Sequence, residues 1–402
     1  VRSRASEGQG RNGVRVVPLN AWARLLLGLG DPRCYGGGLI GLQAVVKRCD
    51  VVRLHPTPQQ EELLRRVGDQ TARLINMENY REKREGRLPP WMNPRPPGYR
   101  KKGGERVPII IVRADNYRVD AEGRRIRLGY WDVDIEFTGK LRWLSKPGAK
   151  RGRMEITYDP IKRRWYAHIS VRVVLERGHS GHGFMGVDLG REVLAAAVTS
   201  SGDALLYKGK VLKSDYFYFE RRIAAIDKAL SDPGMEEARR SALQEERRRL
   251  YEKRKKRRNQ AHANAAAHLK NETVKRDIGI VLIGYPWGIS QEKPGKGNTN
   301  MWSQRRLMLR LATTLENAGI PAFAVSEDNT SRECAYHKVE VVREPRGLVT
   351  CPHGHTLHAD INAALNIMLR GLKALDIEAE LPKRIKVLSF LATPSGVKPI
   401  KP

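Results

Sequence analysis

Three acidic residues stand in separated contexts whose neighbours suit metal chemistry: Asp188 in FMGVDLG, Glu327 in AVSEDNTS and Asp360 in LHADINAALNI. Two-metal hydrolysis of a phosphodiester needs carboxylates that converge on ions about 4 Å apart, one ion activating water and the other steadying the leaving oxygen. Such carboxylates must come from rigid elements. Apolar runs before Asp188 and before Glu327 read as strands, and Asp360 opens a helical pattern, so strand, strand and helix start can serve one edge of an α/β sheet. Each residue has a plainer role when taken singly, as a turn or cap residue, and Asp360 is a natural N-cap. Jointly they point to a catalytic centre holding two Mg²⁺ ions.

A second donor set lies between Glu327 and Asp360. Cys334-x2-His337 and Cys351-x3-His355 are separated by residues 338–350, and two Cys with two His can supply a tetrahedral zinc site. His353 and His358 are alternatives to His355. Four protein ligands leave no open position, which makes the expected zinc structural. The plainer reading is a pair of buried cysteines with histidines around them. Cys34 and Cys49 look unpaired, and the whole pattern favours a reducing, cytoplasmic setting over disulfides.

The charge names the partner class. Lys plus Arg number 74 against 44 for Asp plus Glu, a formal net charge of +30 over 402 residues. An excess of this size suits nucleic acid or an anionic membrane. No run of 18 or more apolar residues exists, and the stretch Ala21 to Gly30 is interrupted by Arg24 and closed by Asp31-Pro32, so neither a spanning helix nor a secretory signal is expected. Residues 239–258 hold eleven Lys/Arg against three Glu, too one-sided to be held by ion pairs, so Arg247, Arg248, Arg254, Lys255, Lys256, Arg257 and Arg258 are expected to grip phosphates. Tyr99, Arg100, Lys101 and Lys102 form a shorter cluster in which the aromatic ring can stack on a base, although a solvated connector explains it equally well.

Length and periodicity give the elements that carry these residues. A chain of this size exceeds one core and implies several domains. Residues 1–43, rich in Gly and Arg, read as a flexible extension. A strand over 44–54 leads to Thr57 as N-cap, Pro58 at the first helical position and Gln60 three after the cap, and a helix to about Arg84. A Pro- and Gly-rich basic connector follows. VPIIIV, YRVD, RIRLGYW, VDIEF, MEITY and WYAHISVRVV read as short strands of an antiparallel barrel or sandwich, with Asp159-Pro160 turning into the last. Beyond them come strands over 183–210 that turn at Ser201-Gly202, a charged helical stretch from Ser214 to about Asn271, and a buried parallel strand over 278–284. A helix from Trp302 to Asn317, a strand over 321–325, the knuckle over 334–355, a helix from Asp360 to about Leu375 and a basic tail over 376–402 complete the chain.

GVDLG together with the block from NTSRECAYH through CPHGHTLHADINAALNI resembles the RuvC-like, RNase H-fold nuclease of the TnpB proteins, which are encoded by insertion sequences and related to type V CRISPR effectors. The resemblance covers about residues 44–375. It implies an RNA-guided DNA endonuclease of a transposable element, partnered by a guide RNA and double-stranded target DNA. The fold implied is α/β plus all-β: a wedge β-barrel (44–56 and 106–180) interrupted by a helical recognition insert (57–105), then a RuvC-like nuclease (181–333 and 356–375) carrying the knuckle. One departure stands out. Many members place the second catalytic carboxylate as a Glu at the end of the strand that here reads IVLIGYPWG, with Gly284 near that position. Glu327 is the best replacement, ahead of Glu292 and Asp328, as in a branch where the glutamate has moved. Two other readings compete: a guided DNA-binding regulator that no longer cuts, and a DNA-strand transferase, for which no His-hydrophobe-His motif with a nucleophilic Tyr and no Ser-recombinase pattern is found.

Overall fold

The computed structural model describes residues 8–9, 15–20, 43–85, 101–102, 105–176, 179–190, 192–285, 303–327, 330–345 and 347–400. Cys34, Tyr99, Arg100, Glu292 and Asp328 lie outside them. The chain divides into two compact units, one over residues 45–175 and one over 3–44 with 176–402.

In chain order a short antiparallel pair, β1 (Gly8–Gln9) and β2 (Arg15–Pro18), is followed by β3 (Gln43–His55) and helix α1 (Pro58–Glu85). The helix starts where a capping box predicts. Gln60 N donates to Thr57 Oγ1 at 3.4 Å, and Thr57 N donates back to Gln60 Oε1 at 3.0 Å. A small ladder, β4 (Lys101–Lys102) with β5 (Glu105–Arg106), leads to six strands: β6 (Ile109–Val112), β7 (Tyr117–Asp120), β8 (Arg125–Leu128), β9 (Val133–Thr138), β10 (Lys150–Asp159) and β11 (Arg164–Glu176). With β3 they form a seven-stranded sheet in the order β6-β10-β11-β3-β9-β8-β7, a near-closed β-barrel. In β11 Trp165, Ala167, Ile169, Val171 and Val173 are buried while their neighbours face outward, the period-2 pattern of a one-sided strand. At the β10–β11 turn Asp159 Oδ1 accepts from the backbone N–H of Ile161 at 3.0 Å and of Lys162 at 3.1 Å.

The second unit is built on β12 (Gly183–Asp188), β13 (Val193–Thr199), β14 (Asp203–Lys208), β15 (Ile278–Tyr285) and β16 (Ala322–Ser326). The first three form an antiparallel meander, while β15 and β16 run parallel to β12. Helices α2 (Lys210–Leu230) and α3 (Glu237–Lys275) connect β14 to β15, and α4 (Gln304–Glu316) precedes β16. The three-residue antiparallel pair β17 (Leu348–Thr350) and β18 (Thr356–His358) leads into α5 (Ala359–Ala374), then β19 (Lys386–Thr393) and β20 (Gly396–Ile400).

The sheet has nine strands in the order β1-β2-β16-β15-β12-β13-β14-β19-β20. Its two faces have separate cores. Met185, Val187, Val281, Ile283, Ala322 and Ala324 pack toward α3 and α4, whereas Leu282, Phe323 and Val325 pack with Ile361, Ala364, Leu365, Ile367 and Met368 of α5. Burial on both faces is why β15 reads as a continuous apolar run.

Three expectations need correction. Part of the N-terminal extension is strand, because β2 pairs antiparallel with β16 through Val325↔Val16 and Ala324↔Val17. The basic tail likewise enters the sheet: β19 runs parallel to β14 and carries β20 on its outer edge, where Pro399 is tolerated because an edge strand needs no donor on its open side. The charged helical stretch is a hairpin of two helices, broken at residues 231–236 by Ser231, Asp232, Pro233 and Gly234. Among the described residues no helix is long and apolar enough to cross a membrane.

Candidate functional site

Alternation along the strands decides which side chains share a face. Val187 and Met185 point to the α3/α4 core, so Asp188, the last residue of β12, points with Gly186 to the face covered by α5. Phe323 and Val325 lie on that α5 face, and Glu327, the residue after β16, continues the same alternation. Asp360 lies in the first turn of α5 itself.

The helix comes close because β12 has no side chain at 186. A β-carbon there would collide with the backbone oxygen of Ala364 and stand 2.7 Å from Met368 Cβ. Asp360 is one helical turn before Ala364, a rise of about 6 Å, and Asp188 is two strand residues beyond Gly186, about 6.6 Å. The close approach at Gly186 therefore brings the two aspartates to the same level. Their charges interact: burial first, and then the Asp360 charge, push the Asp188 carboxyl up to about 7, opposed by the Leu189 backbone N–H and by Arg343.

Glu327 reaches this point from two strands away. The register Val187↔Ile283 continues to Asp188 beside Gly284, and Gly284 pairs with Val325. A β-carbon on Gly284 would stand 2.6 Å from Glu327 Oε1 and 2.9 Å from Glu327 Cγ. The glutamate thus fills the space a side chain at 284 would occupy, one strand spacing (about 4.8 Å) from the strand of Asp188. The three carboxylates do not form a single tight nest. Among the described residues, the group of three or more Cys, His, Asp or Glu whose ligand atoms all lie within 4.8 Å of one another is Cys334, His337 and His355.

A hollow of about 580 Å³ opens beside Asp360, lined among others by Glu192, Lys208, Lys210, Arg343 and His358. Sequence reasoning missed Lys208, Lys210 and Arg343, since they come from two distant segments with no shared pattern. The plainer reading of Asp360 made it the helix cap. His358 is the N-cap, its Nδ1 accepting from Asp360 N at 3.3 Å, which leaves the Asp360 carboxylate for other work.

In the knuckle, Cys334 Sγ lies 3.7 Å from His337 Nδ1 and 3.6 Å from His355 Nδ1, and Cys351 Sγ lies 3.2 Å from His337 Nδ1. A tetrahedral zinc with S and N ligands separates neighbouring donors by about 3.6 Å, so Cys334, His337 and His355 have a spacing that fits zinc, while Cys351 approaches His337 and stands outside that group. His355, not His353 or His358, joins the three-residue group. The knuckle is fastened to α5 by two buried asparagines that the sequence reading passed over. Asn362 accepts from Ala335 N at 2.9 Å and donates to Glu333 O at 2.8 Å, while Asn366 donates to Thr330 O at 2.9 Å and to Glu333 O at 2.7 Å. Thr330 N in turn donates to Glu327 O at 3.1 Å. One helix therefore positions Asp360, the knuckle and the loop that carries Glu327. The available signal was two Asn four residues apart inside an apolar helical run, where an amide is costly unless it has partners.

The basic helix α3 differs from expectation. Helix α2 supplies the missing acids: Arg247 pairs with Asp227 at 2.6 Å, Arg257 with Asp215 at 2.7 Å and Arg254 with Glu220. Lys255 lies 3.6 Å from Glu252, and Arg248 Nε donates to Gln244 O at 3.3 Å. The 239–258 window looked one-sided because its counter-charges lie outside it.

Residues 168–290 match a family model described as OrfB_IS605, probable transposase, and residues 305–367 match the Cas12f1-like TNB domain. A TnpB-like protein, ORF457 of Acidianus two-tailed virus, is 35% identical over 432 aligned residues, covering 88% of this chain and 92% of the relative. Among solved structures, the Cas12f1–sgRNA–target DNA complex aligns at 14% identity and a TM-score of 0.45, covering 75% of this chain and 70% of that one. C2c1 of Alicyclobacillus acidoterrestris in complex with single-guide RNA aligns at 10% identity and a TM-score of 0.39, covering 77% and 59%.

Proposed function

The chain belongs to the TnpB-like family, and on that premise we propose that it is an RNA-guided, Mg²⁺-dependent DNA endonuclease of a transposable element, with Asp188, Glu327 and Asp360 as its catalytic carboxylates. The observation that carries the reading is the Glu327 side chain lying over Gly284, level with Asp188 and on the face where Asp360 opens α5. The glutamate has moved to the next strand, and its carboxylate occupies the place a side chain at 284 would take. The meander β12–β13–β14 followed by parallel β15 and β16 supports a RuvC-like, RNase H-type core.

The donor set fits divalent metal. A buried carboxyl raised toward neutrality beside another carboxylate is an arrangement that cations stabilise. Magnesium, when bound by Asp188, Glu327 and Asp360, supplies the positive charge that lowers the pKa of an attacking water and stabilises the leaving oxygen. The chain's own groups do the rest. Asp188 is fixed by its place at the end of a central strand, and Asp360 is aimed by the His358 cap. Lys208, Lys210 and Arg343 line the hollow at Asp360 and would draw in a phosphodiester. Structural zinc would be held by Cys334, His337, Cys351 and His355.

The net charge supports a nucleic-acid partner, read here as guide RNA and double-stranded target DNA. Cleavage of target DNA by the protein with its co-purifying RNA and Mg²⁺ tests the reading: Asp188→Ala abolishes cutting and leaves RNA binding nearly intact. Retained cutting by that variant removes the assignment, and absent cutting by the unmodified protein with intact DNA binding favours a guided regulator.

A further inference from the structure

On the sheet face opposite the carboxylates, α3 and α4 pack together and leave a hollow of about 340 Å³ lined by Asn259, His262, Arg306, Leu309, Arg310 and Thr313. His262 is 2% exposed, and its Nε2 is buried without a hydrogen-bond partner among the described residues. A buried ring nitrogen of this kind is costly unless a partner arrives. The charges acting on the ring are those of Arg258, Arg310 and Arg306, and with burial they hold it neutral. A neutral imidazole still carries one N–H to donate.

The arginines sharpen the point. Elsewhere on α3, arginines are matched by carboxylates of α2, at Asp227, Glu220 and Asp215. At the hollow, Arg306 and Arg310 form no ion pair with a carboxylate among the described residues. They stand one helical turn apart on α4, on the same side, which is a spacing for two guanidinium groups to grip one oxyanion. Like charges gathered around a buried donor suit an anion.

We propose that this hollow is a phosphate-binding site that takes one phosphodiester of a nucleic-acid strand, gripped by Arg306 and Arg310 and bonded at its floor by His262 Nε2. The inference rests on the nucleic-acid reading above only for the source of the phosphate, and it is independent of Asp188, Glu327 and Asp360. It adds a contact on the side of the molecule that the cleavage centre does not use.

The test has two arms on the full chain. Inorganic phosphate is titrated into protein with ¹⁵N-labelled histidine, and the His262 ring resonances are followed by NMR. Binding of the co-purifying RNA is measured against salt for the unmodified protein and for Arg306→Gln/Arg310→Gln, both exposed positions whose loss leaves the core intact. The expected results are a saturable shift of the His262 ring that the double variant abolishes, and a slope of log affinity against log salt that falls by about 1.4 for two lost cationic contacts to a single strand. No ring shift with phosphate overturns the site. A ring shift with an unchanged RNA salt slope overturns the polynucleotide assignment and leaves a site for free phosphate. A protein that shifts with phosphate and loses salt slope but cuts no DNA keeps this inference while the endonuclease reading fails.

Discussion

Glu327 lies across Gly284: its Oε1 is 2.6 Å from where a β-carbon on that glycine would stand, and Gly284 is level with Asp188 on the neighbouring strand. In the proposed site the glycine counts by virtue of what it lacks. A carboxylate delivered from the next strand needs an empty place to lie in.

This predicts a strict requirement at 284. Gly284→Ala pushes Glu327 and Ile367 away and lowers cleavage by roughly a hundredfold or more, on the order of 3 kcal/mol in the barrier. Glu327→Ala lowers it by about a thousandfold or more. Adding Gly284→Glu to Glu327→Ala returns a measurable part of that loss, because the carboxylate then rises from the central strand to the same place. Single-turnover cleavage rates of the four proteins check this, and a double variant no faster than Glu327→Ala contradicts it.

The knuckle is predicted to hold one zinc per chain. Metal analysis of protein purified without added zinc gives a stoichiometry near one, and Cys334→Ser lowers it. Since Asn362 and Asn366 bind the knuckle backbone to α5, the same variant also weakens Mg²⁺-dependent cleavage at a distance. Stoichiometry near zero in folded, active protein ends this assignment.

The α2–α3 hairpin separates structural arginines from available ones. Arg257 makes two bonds to Asp215, at 2.7 and 2.9 Å, across the hairpin, so Arg257→Ala costs about 1 kcal/mol of stability in chemical denaturation. Arg248→Ala with Lys256→Ala is expected to leave stability unchanged and to flatten the salt dependence of RNA binding. The reverse pattern would show that the paired arginines are the phosphate contacts.

His262 makes stability depend on pH. Burial, then Arg258, Arg310 and Arg306, hold its ring down at about 4 against an ordinary 6.5. The unfolded chain then binds the proton more readily, so this contribution is fully present above about 6.5 and is lost as pH falls toward 4, on the order of 3 kcal/mol in all. His262→Gln is expected to show a shallower stability loss than the unmodified protein over that interval in urea titrations. Identical slopes would contradict it.

The sequence carried the local rules well. The Thr57–Gln60 capping box, the alternation through Trp165 to Val173 and the apolar β15 each depend on neighbours in the chain, and each forms as read. What was lost depended on distant partners. Arg247, Arg254 and Arg257 looked unopposed because Asp227, Glu220 and Asp215 lie on another helix. Val16 and Val17 looked flexible because their partner strand is some three hundred residues away. At the candidate site Asp188, Glu327 and Asp360 were readable as residues, while the space over Gly284, the His358 cap and the hollow with Arg343 are products of packing.

Crystals of the protein soaked in Mn²⁺ test the central claim most directly through anomalous scattering. The account predicts two manganese peaks about 4 Å apart in contact with Asp188, Glu327 and Asp360. Manganese bound at saturation with the Glu327 carboxylate out of contact would contradict it.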